Sequence, residues 1–140
     1  MKKIVLFSFL VFSINTIAQS KDESAVRKIL NDQTKAWNNG NTEAFMKGYW
    51  ENDSLMFVGK SGVTYGWKNT LNNYKKNYPD TATMGKLDFT IISAKQLSSQ
   101  HFFIVGKWHL KRSIGDIGGH FTLLFRKIRG NWVIITDHSS

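Results

Sequence analysis

GHFTLLFRKIRGNWVIITDHSS, residues 119–140, is the stretch that decides the fold. Apolar and polar residues alternate through it at the period of a β-strand. Arg129-Gly130-Asn131 interrupts the pattern as a turn, so the segment is predicted to form an antiparallel hairpin. If the loop has an even length, opposed residues have opposite parity, whereas an odd length would exchange the two faces. The more aromatic face, predicted to be concave, then carries Phe121, Leu123, Phe125, Trp132, Ile134, Thr136 and His138.

Two more long strands are predicted before the hairpin, at about 87–97 and about 101–112, because the apolar period there is again two. In the second of these strands, Gly106 lies between large residues. A glycine inside a strand marks a bend or a place where another group approaches the backbone closely. The side predicted to face the helices carries Phe102, Ile104, Gly106, Trp108 and Leu110.

A first helix is predicted to begin at residue 20. Ser20 and Glu23 fit a capping box, in which a hydroxyl and a carboxylate three residues apart satisfy free backbone amides. Apolar residues then follow at helical spacing as far as Trp37. Asn38-Asn39-Gly40 ends this helix, because Asn and Gly tolerate the left-handed conformation found at helix ends.

Two more helices and a short hairpin are predicted before the long strands. The second helix, capped by Asn41 or Thr42, runs through Ala44 as far as Trp50, and the short hairpin follows at about 55–65. The third helix runs from about residue 67 to 78 and ends before Pro79, because the residue before a proline resists helical geometry. Helices followed by a long antiparallel meander favour the α+β class, with the helices on one face of a curved sheet.

Residues 1–18 have the pattern of a secretory signal peptide. Lys2 and Lys3 precede an almost wholly apolar run, and Thr16-Ile17-Ala18 supplies the small residues of a cleavage site. The run is shorter than the roughly 20 apolar residues that a spanning helix needs, so a membrane anchor is disfavoured. The protein is therefore predicted to be exported, periplasmic or secreted, as a single domain of residues 19–140 that leaves the membrane after cleavage.

Composition excludes several classes of function. The formal net charge is +9, but the basic residues are scattered rather than clustered beside aromatic residues, so no nucleic-acid partner is predicted. The chain has no cysteine, which excludes disulfides and a cysteine-linked lipid anchor. The four histidines show neither HxH nor HExxH spacing, and no phosphate-binding loop is present. No metal site and no cofactor are predicted.

Four segments together resemble the SnoaL-like branch of the nuclear transport factor 2 superfamily, and more narrowly its exported members of unknown function. They are AWNNGN at 36–41, YWENDS at 49–54, LMFVGKSGVTYGW at 55–67, and the hairpin at 119–140. The resemblance covers essentially the whole chain after residue 18. It implies a cone-shaped, curved antiparallel sheet closed by three N-terminal helices around one pocket, often in a dimer. Its members include isomerases, dehydratases, epoxide hydrolases, cyclases and proteins that only bind, so fold alone does not assign a reaction.

The steroid isomerases of this superfamily have features that the sequence lacks. Their general-base carboxylate lies on the strand after the second helix, which here reads Leu55-Met56-Phe57-Val58. Asp53 precedes that strand in a turn, where a carboxylate commonly accepts backbone amide hydrogens. No convincing counterpart is recognised for their oxyanion-binding Tyr–Asp pair, or for the Arg–Asp pairings of the epoxide hydrolases. The isomerase mechanism is therefore not supported.

A cavity for a small apolar or aromatic ligand is the leading functional prediction. Buried Trp and Tyr combine an apolar body with a polar tip, and an apolar pocket with a few polar groups is typical of small-molecule sites. The candidate ligand-binding residues, with Tyr49 and Trp50 as alternatives, are Gln33, Trp37, Tyr49, Trp50, Phe57, Trp67, Tyr74 and Trp108. Each of these aromatic residues, taken alone, is more often part of a hydrophobic core than of a ligand-binding site. The prediction therefore depends on all of these residues together.

The last strand ends in Asp137, His138 and Ser139, which resemble the parts of a hydrolase triad. Successive strand residues point to opposite faces, so Asp137 and His138 are not triad partners while the strand continues through them. His138 is predicted to point into the pocket, and Asp137 outward beside Arg126. The alternative function is therefore an isomerase, dehydratase or cyclase that uses His138 as its catalytic acid–base group.

The outer face of the sheet is predicted to form a homodimer interface. This face is too apolar for a surface in contact with water, and such patches usually meet another surface. A structural or interaction module that dimerises through it is the second alternative function. In the hairpin the face carries Thr122, Leu124, Arg126, Ile128, Val133, Ile135 and Asp137.

Overall fold

The computed structural model describes residues 20–140, and the predicted signal peptide at 1–18 lies outside the described residues. No helix in the described part of the chain is both long and apolar enough to cross a bilayer. The elements are α1 (Lys21–Asn38), α2 (Thr42–Met46), β1 (Met56–Gly59), β2 (Gly62–Tyr65), α3 (Trp67–Asn77), α4 (Thr81–Met84), β3 (Lys86–Gln96), β4 (His101–Lys111), β5 (Ile117–Ile128) and β6 (Asn131–Ser139).

The six strands form one curved, unclosed sheet in the order β2-β1-β6-β5-β4-β3, which confirms the predicted α+β class. Three details differ from the prediction. Helix α2 ends at Met46, so Tyr49 and Trp50, which were predicted to lie in it, follow it outside the helix. The pair β1–β6 is parallel, so the sheet is not wholly antiparallel. A fourth helix, α4, follows Pro79, and it begins because Asp80 and Thr83 form their own capping box.

Helix α1 packs its apolar stripe against the concave face of the sheet. It begins as predicted, because the Ser20 side chain accepts a hydrogen bond from the backbone N–H of Glu23 at 3.0 Å. Its inward stripe carries Val26, Leu30, Gln33 and Trp37, all of which are buried. The helix therefore forms the roof over the pocket side of the sheet.

Strand β4 presents its predicted face to the core. Phe102, Ile104 and Leu110 are buried, and Trp108 is half-buried. A Cβ atom placed on Gly106 would overlap the ring of Phe121 and would lie 2.9 Å from the carbonyl oxygen of Thr90. The close approach predicted from this glycine is therefore confirmed, and it is the packing of an aromatic ring across the β4–β5 pair.

The β5–β6 hairpin has a loop of even length. Ile128 pairs with Asn131, so the turn consists of Arg129 and Gly130, both with positive φ (50° and 79°). This is the geometry of a type I′ turn, which matches the twist of paired strands. Phe125 and Ile134 then pair on the concave face, as predicted.

A β-bulge reverses this alternation in the second half of β6. Leu124 pairs with Thr136, whereas Phe125 pairs with Ile134, which leaves Ile135 as an extra residue. A bulge of this kind shifts every later side chain to the other face of the strand. Thr136 and His138, predicted to be concave, therefore lie on the outer side.

Asp137 faces the concave side instead. It pairs with Leu123 and is only 3% exposed, whereas His138 is exposed. The prediction that His138 points into the pocket is wrong, and so is the prediction that Asp137 points outward beside Arg126. The physical reason is the bulge, because the predicted alternation assumed a regular strand.

Candidate functional site

A cavity of about 100 Å³ lies between the helices and the concave face of the sheet. Most of its wall is aromatic or aliphatic, and its polar groups are an amide, phenol hydroxyls, a serine hydroxyl and one carboxyl group. Helices and strands from across residues 20–140 contribute to it. The lining residues are Gln33, Trp37, Phe45, Tyr49, Phe57, Tyr74, Tyr78, Leu87, Phe89, Trp108, Leu110, Phe121, Leu123, Asp137 and Ser139.

The carboxyl group of Asp137 is the centre of a buried polar cluster. The Tyr49 hydroxyl donates a hydrogen bond to its Oδ2 at 2.7 Å, and the Ser139 hydroxyl donates to its Oδ1 at 2.8 Å. The Tyr74 hydroxyl lies 3.4 Å from that of Tyr49. Each carboxylate oxygen therefore has one protein donor, and Tyr74 extends the cluster along the cavity wall.

Backbone pairing fixes the position of Tyr49. The segment after α2 runs beside β6, where Tyr49 and Ile134 form an isolated parallel bridge. The backbone N–H of Trp50 donates to the carbonyl of Ile134 at 2.9 Å. The backbone N–H of Ile134 donates to the carbonyl of Gly48, also at 2.9 Å. A Cβ on Gly48 would lie 2.8 Å from the Gln33 side chain, so glycine allows this segment to pass under α1. Tyr49 is thereby held opposite Asp137.

Burial shifts the pKa values of the groups in this cluster. Removal from water raises the pKa of Asp137 to about 6, although the hydrogen bonds from Tyr49 and Ser139 and the nearby His138 act in the opposite direction. A carboxyl group with that pKa is still about 90% ionised at pH 7. Burial also raises the pKa of Tyr49 and of Tyr74, and the negative charge of Asp137 raises both further. Both phenols therefore keep their protons at neutral pH.

The directions of the hydrogen bonds define what the cavity offers to a ligand. The proton of Tyr49 is directed at Asp137, so the Tyr74 hydroxyl is the donor in the longer contact between the two phenols. The Ser139 hydroxyl also donates its hydrogen bond to Asp137. The cluster therefore presents acceptors to the cavity. An oxyanion-binding site requires the reverse, namely donors directed at the ligand.

The aromatic wall is packed edge to face. Tyr74 meets Trp37, Phe45 and Phe57 with ring centroids 5.8, 5.2 and 5.8 Å apart and interplanar angles of 77°, 72° and 72°. This edge-to-face geometry is favourable for aromatic pairs. Trp37 donates its indole N–H to the carbonyl of Met84 at 3.0 Å, so this polar tip is already satisfied.

Six of the eight predicted ligand-binding residues line the cavity: Gln33, Trp37, Tyr49, Phe57, Tyr74 and Trp108. Gln33 donates its amide N–H to the carbonyl of Phe45 at 3.2 Å. Trp108 is held at the C-terminus by a hydrogen bond to the carbonyl of Ser140 at 3.2 Å.

Trp50 and Trp67 do not line the cavity. The indole N–H of Trp67 donates to the carbonyl of Met46 at 2.9 Å, so this ring braces the end of α2. Trp50 is the neighbour of Tyr49 in an extended segment, and the two side chains therefore point to opposite sides. Of this pair, Tyr49 is the one inside.

The most important residue that the sequence analysis missed is Asp137, and Ser139 was missed with it. One signal was available, because Val133, Ile134 and Ile135 are three apolar residues in succession and break the alternation. The structure pairs Tyr49 with Asp137, but the Tyr49 hydroxyl donates to the carboxyl group, so this pair is not a counterpart of the oxyanion-binding Tyr–Asp pair. Residues 20–140 contain no group of three or more His, Cys, Asp or Glu side chains that could hold a metal ion.

No protein-family model matches the chain, and no curated protein matches it. Solved structures do match. An NTF-2 like protein of unknown function from Shewanella oneidensis MR-1 is 44% identical with a TM-score of 0.82, over 85% of this chain and 98% of that one. An NTF2-like protein of unknown function from Pseudomonas putida KT2440 is 13% identical with a TM-score of 0.68, over 85% of each chain.

A ketosteroid isomerase-like protein from Erwinia carotovora atroseptica SCRI1043 is also similar, with 15% identity and a TM-score of 0.67 over 86% of this chain and 96% of that one. At such low identity the last two similarities show the fold alone. A curved sheet closed by helices around one cavity defines the NTF2-like class. The 44% identity to the Shewanella protein over nearly its whole length shows that the chain belongs to the NTF2-like family.

Proposed function

We propose that the protein binds a small apolar or aromatic molecule in the helix–sheet cavity, without strong catalytic activity. The observation that carries the proposal is a cavity with an aromatic wall and one buried carboxyl group, that of Asp137. Apolar pockets with a few convergent polar groups are typical small-molecule sites. The apolar body of the ligand contacts the aromatic wall, and its polar end reaches Asp137.

The size of the cavity limits the ligand. An engineered apolar cavity of about 150 Å³ holds benzene, and the present cavity measures about 100 Å³. The enclosed part of the ligand is therefore no larger than about one ring. Half-buried lining residues such as Phe57, Tyr78, Phe89 and Trp108 form the wall nearest to solvent, where a larger ligand can extend outward.

Export and homodimerisation belong to the same proposal. Export rests on the signal-peptide pattern of residues 1–18. Dimerisation rests on the outer face of β4, β5 and β6, where large apolar side chains remain partly accessible. These half-buried residues are Phe103, Val105, Leu124, Val133 and Ile135.

The test is a ligand-observed NMR screen of one-ring aromatic compounds against the wild type and two matched variants. Leu123→Phe narrows the cavity, whereas Leu97→Phe places the same change at a position that is 53% exposed and outside it. We expect binding to the wild type and to Leu97→Phe, and much weaker binding to Leu123→Phe. Equal binding to all three, with both variants folded, would locate the ligand elsewhere. An interaction module would bind none of the compounds.

Proton-transfer catalysis is the second candidate function, and the pKa of Asp137 favours it. A carboxyl group with a pKa of about 6 is well suited to act as a general base near neutral pH. His138, on which the sequence-based enzyme hypothesis relied, is exposed on the other face of β6. The test is deuterium exchange at the α-carbon of phenylacetone, followed by NMR. Exchange that is accelerated by the wild type but not by Asp137→Asn would support catalysis.

A further inference from the structure

Resting on the proposed ligand-binding function, we infer that the cavity selects a small aromatic or aliphatic amine, whose ammonium group pairs with Asp137. The carboxyl group of Asp137 is buried in the cavity wall, and no cationic side chain of residues 20–140 forms an ion pair with it. A buried carboxylate without a cationic partner is destabilising, so its presence in a cavity indicates that a ligand supplies the positive charge.

Among residues 20–140, His138 is the one basic side chain that acts on the charge of Asp137, and it forms no ion pair with it. No Lys, Arg or His is among the lining residues in the described part of the chain. β1 and β5 place Phe57 and Leu123 beside Asp137, and neither of them titrates. The nearest histidine, His138, is exposed on the opposite face of β6. The remaining titratable neighbours are the phenols of Tyr49 and Tyr74, which are neutral.

The hydrogen bonds favour a ligand that donates. A carboxylate has about four acceptor positions, and the protein fills two of them, through Tyr49 and Ser139. Because both of these hydroxyls donate to the carboxylate, they stabilise its ionised form. Tyr74 directs its proton at Tyr49, so its lone pairs are free to accept. An ammonium group carries three donors and no acceptor, which matches this set.

The aromatic wall of the cavity strengthens the preference for a cation. A cation over the face of an aromatic ring gains roughly 0.5–2 kcal/mol, and aromatic cages that bind alkylammonium ligands use this effect. Trp37, Phe45, Phe57 and Tyr74 all line the cavity that contains Asp137, so an ammonium group bound there lies in a largely aromatic site.

The positive net charge of the protein acts in the other direction, but it is the weaker effect. The formal charge of +9 belongs to scattered residues whose field is screened within about 8 Å at physiological ionic strength. The pairing with Asp137 takes place at a carboxyl group that is only 3% exposed, where charge interactions are much less screened. The local carboxylate therefore decides the selectivity.

The experiment compares three one-ring probes of nearly equal size, benzylamine, benzyl alcohol and benzoate, by isothermal titration calorimetry at pH 7.5. We expect benzylamine to bind at least about tenfold more tightly than benzyl alcohol, and benzoate to bind most weakly. Asp137→Asn lowers the ratio of the benzylamine affinity to the benzyl alcohol affinity to about one. Asp88→Asn, at an exposed position on β3, is the matched control and keeps the preference.

Changing the pH supplies a second readout on the wild type alone. The affinity for benzylamine falls as the pH is lowered from 7.5 to 5, because Asp137 becomes protonated near pH 6. If benzyl alcohol or benzoate binds as tightly as benzylamine, the amine inference is overturned while the binding function stands. If none of the three probes binds the wild type, the proposed binding function fails as well.

Discussion

Replacement of Asp137 by Asn should remove the pH dependence that this residue imposes on the stability of the fold. The pKa of Asp137 is raised from 3.8 to about 6 in the folded protein, chiefly because the group is buried. Between about pH 4 and pH 6 the folded state therefore holds a proton that the unfolded state has lost. Because proton uptake accompanies folding in this window, wild-type stability falls as the pH rises through it.

A shift of about two pKa units corresponds to about 3 kcal/mol. Part of this lies below pH 4, so the expected change between pH 4 and pH 7.5 is about 2–3 kcal/mol. Asparagine has nearly the same shape, its amide oxygen accepts the hydrogen bond from Tyr49, and it does not titrate. The free energy of unfolding of Asp137→Asn, relative to the wild type, should therefore rise by this amount over the interval.

The assay is urea unfolding of the wild type and the variant at intervals of half a pH unit. Subtracting the two curves cancels the contribution of every other titratable group that the substitution leaves unchanged. Asp88→Asn, at an exposed site, serves as the control, and its difference curve should stay within about 0.5 kcal/mol of a constant. A difference curve for Asp137→Asn that is equally flat would refute the raised pKa and the buried position behind it.

Three other substitutions test separate parts of the structure. Tyr49→Phe removes a hydrogen-bond donor to Asp137, so it should lower the free energy of unfolding by about 1.5–3 kcal/mol above pH 6 but by less at pH 4, as measured by urea unfolding. An equal loss at both pH values would contradict a hydrogen bond to a carboxylate. Gly106→Ala should destabilise the protein by about 1–3 kcal/mol in the same assay, because the added Cβ overlaps the Phe121 ring. An unchanged stability would show that the Phe121 ring can move to make room. Leu124→Lys, on the outer face, should convert the proposed dimer to a monomer in light scattering without loss of the fold; a dimer that persists would place the interface elsewhere.

The fold was predictable because its signals are local. The cap of α1 at Ser20 and the stop before Pro79 each depend on a few neighbouring residues. The period of two in β4 and the turn at Arg129-Gly130 are equally local, and the structure reproduces them. The parallel pairing of β1 with β6 was not predicted, since it joins segments that are far apart in the sequence. The residue pattern within a segment indicates that it forms a strand, but it does not indicate which other strand it pairs with.

The candidate site was predictable only where a side chain's direction followed from a regular element. Gln33 and Trp37 lie on the inward stripe of α1, so helical spacing places them correctly. Trp67 is an exception, because the position of its ring depends on how α3 packs against α2. Asp137 lies beyond an irregularity, and a single extra residue in a strand reverses every assignment that follows it.

The bulge at Ile135 connects the fold to the proposed function. A regular β6 would direct His138 into the cavity and would leave Asp137 in contact with solvent. The bulge instead disrupts the ladder locally and buries a carboxyl group, which at neutral pH destabilises the protein by about 3 kcal/mol. Bulges commonly re-aim side chains beside functional sites, and local violations of stability are expected where function requires them. The bulge at Ile135 and the buried carboxyl group of Asp137 together place a charge in the cavity, and the proposed amine ligand would compensate for it.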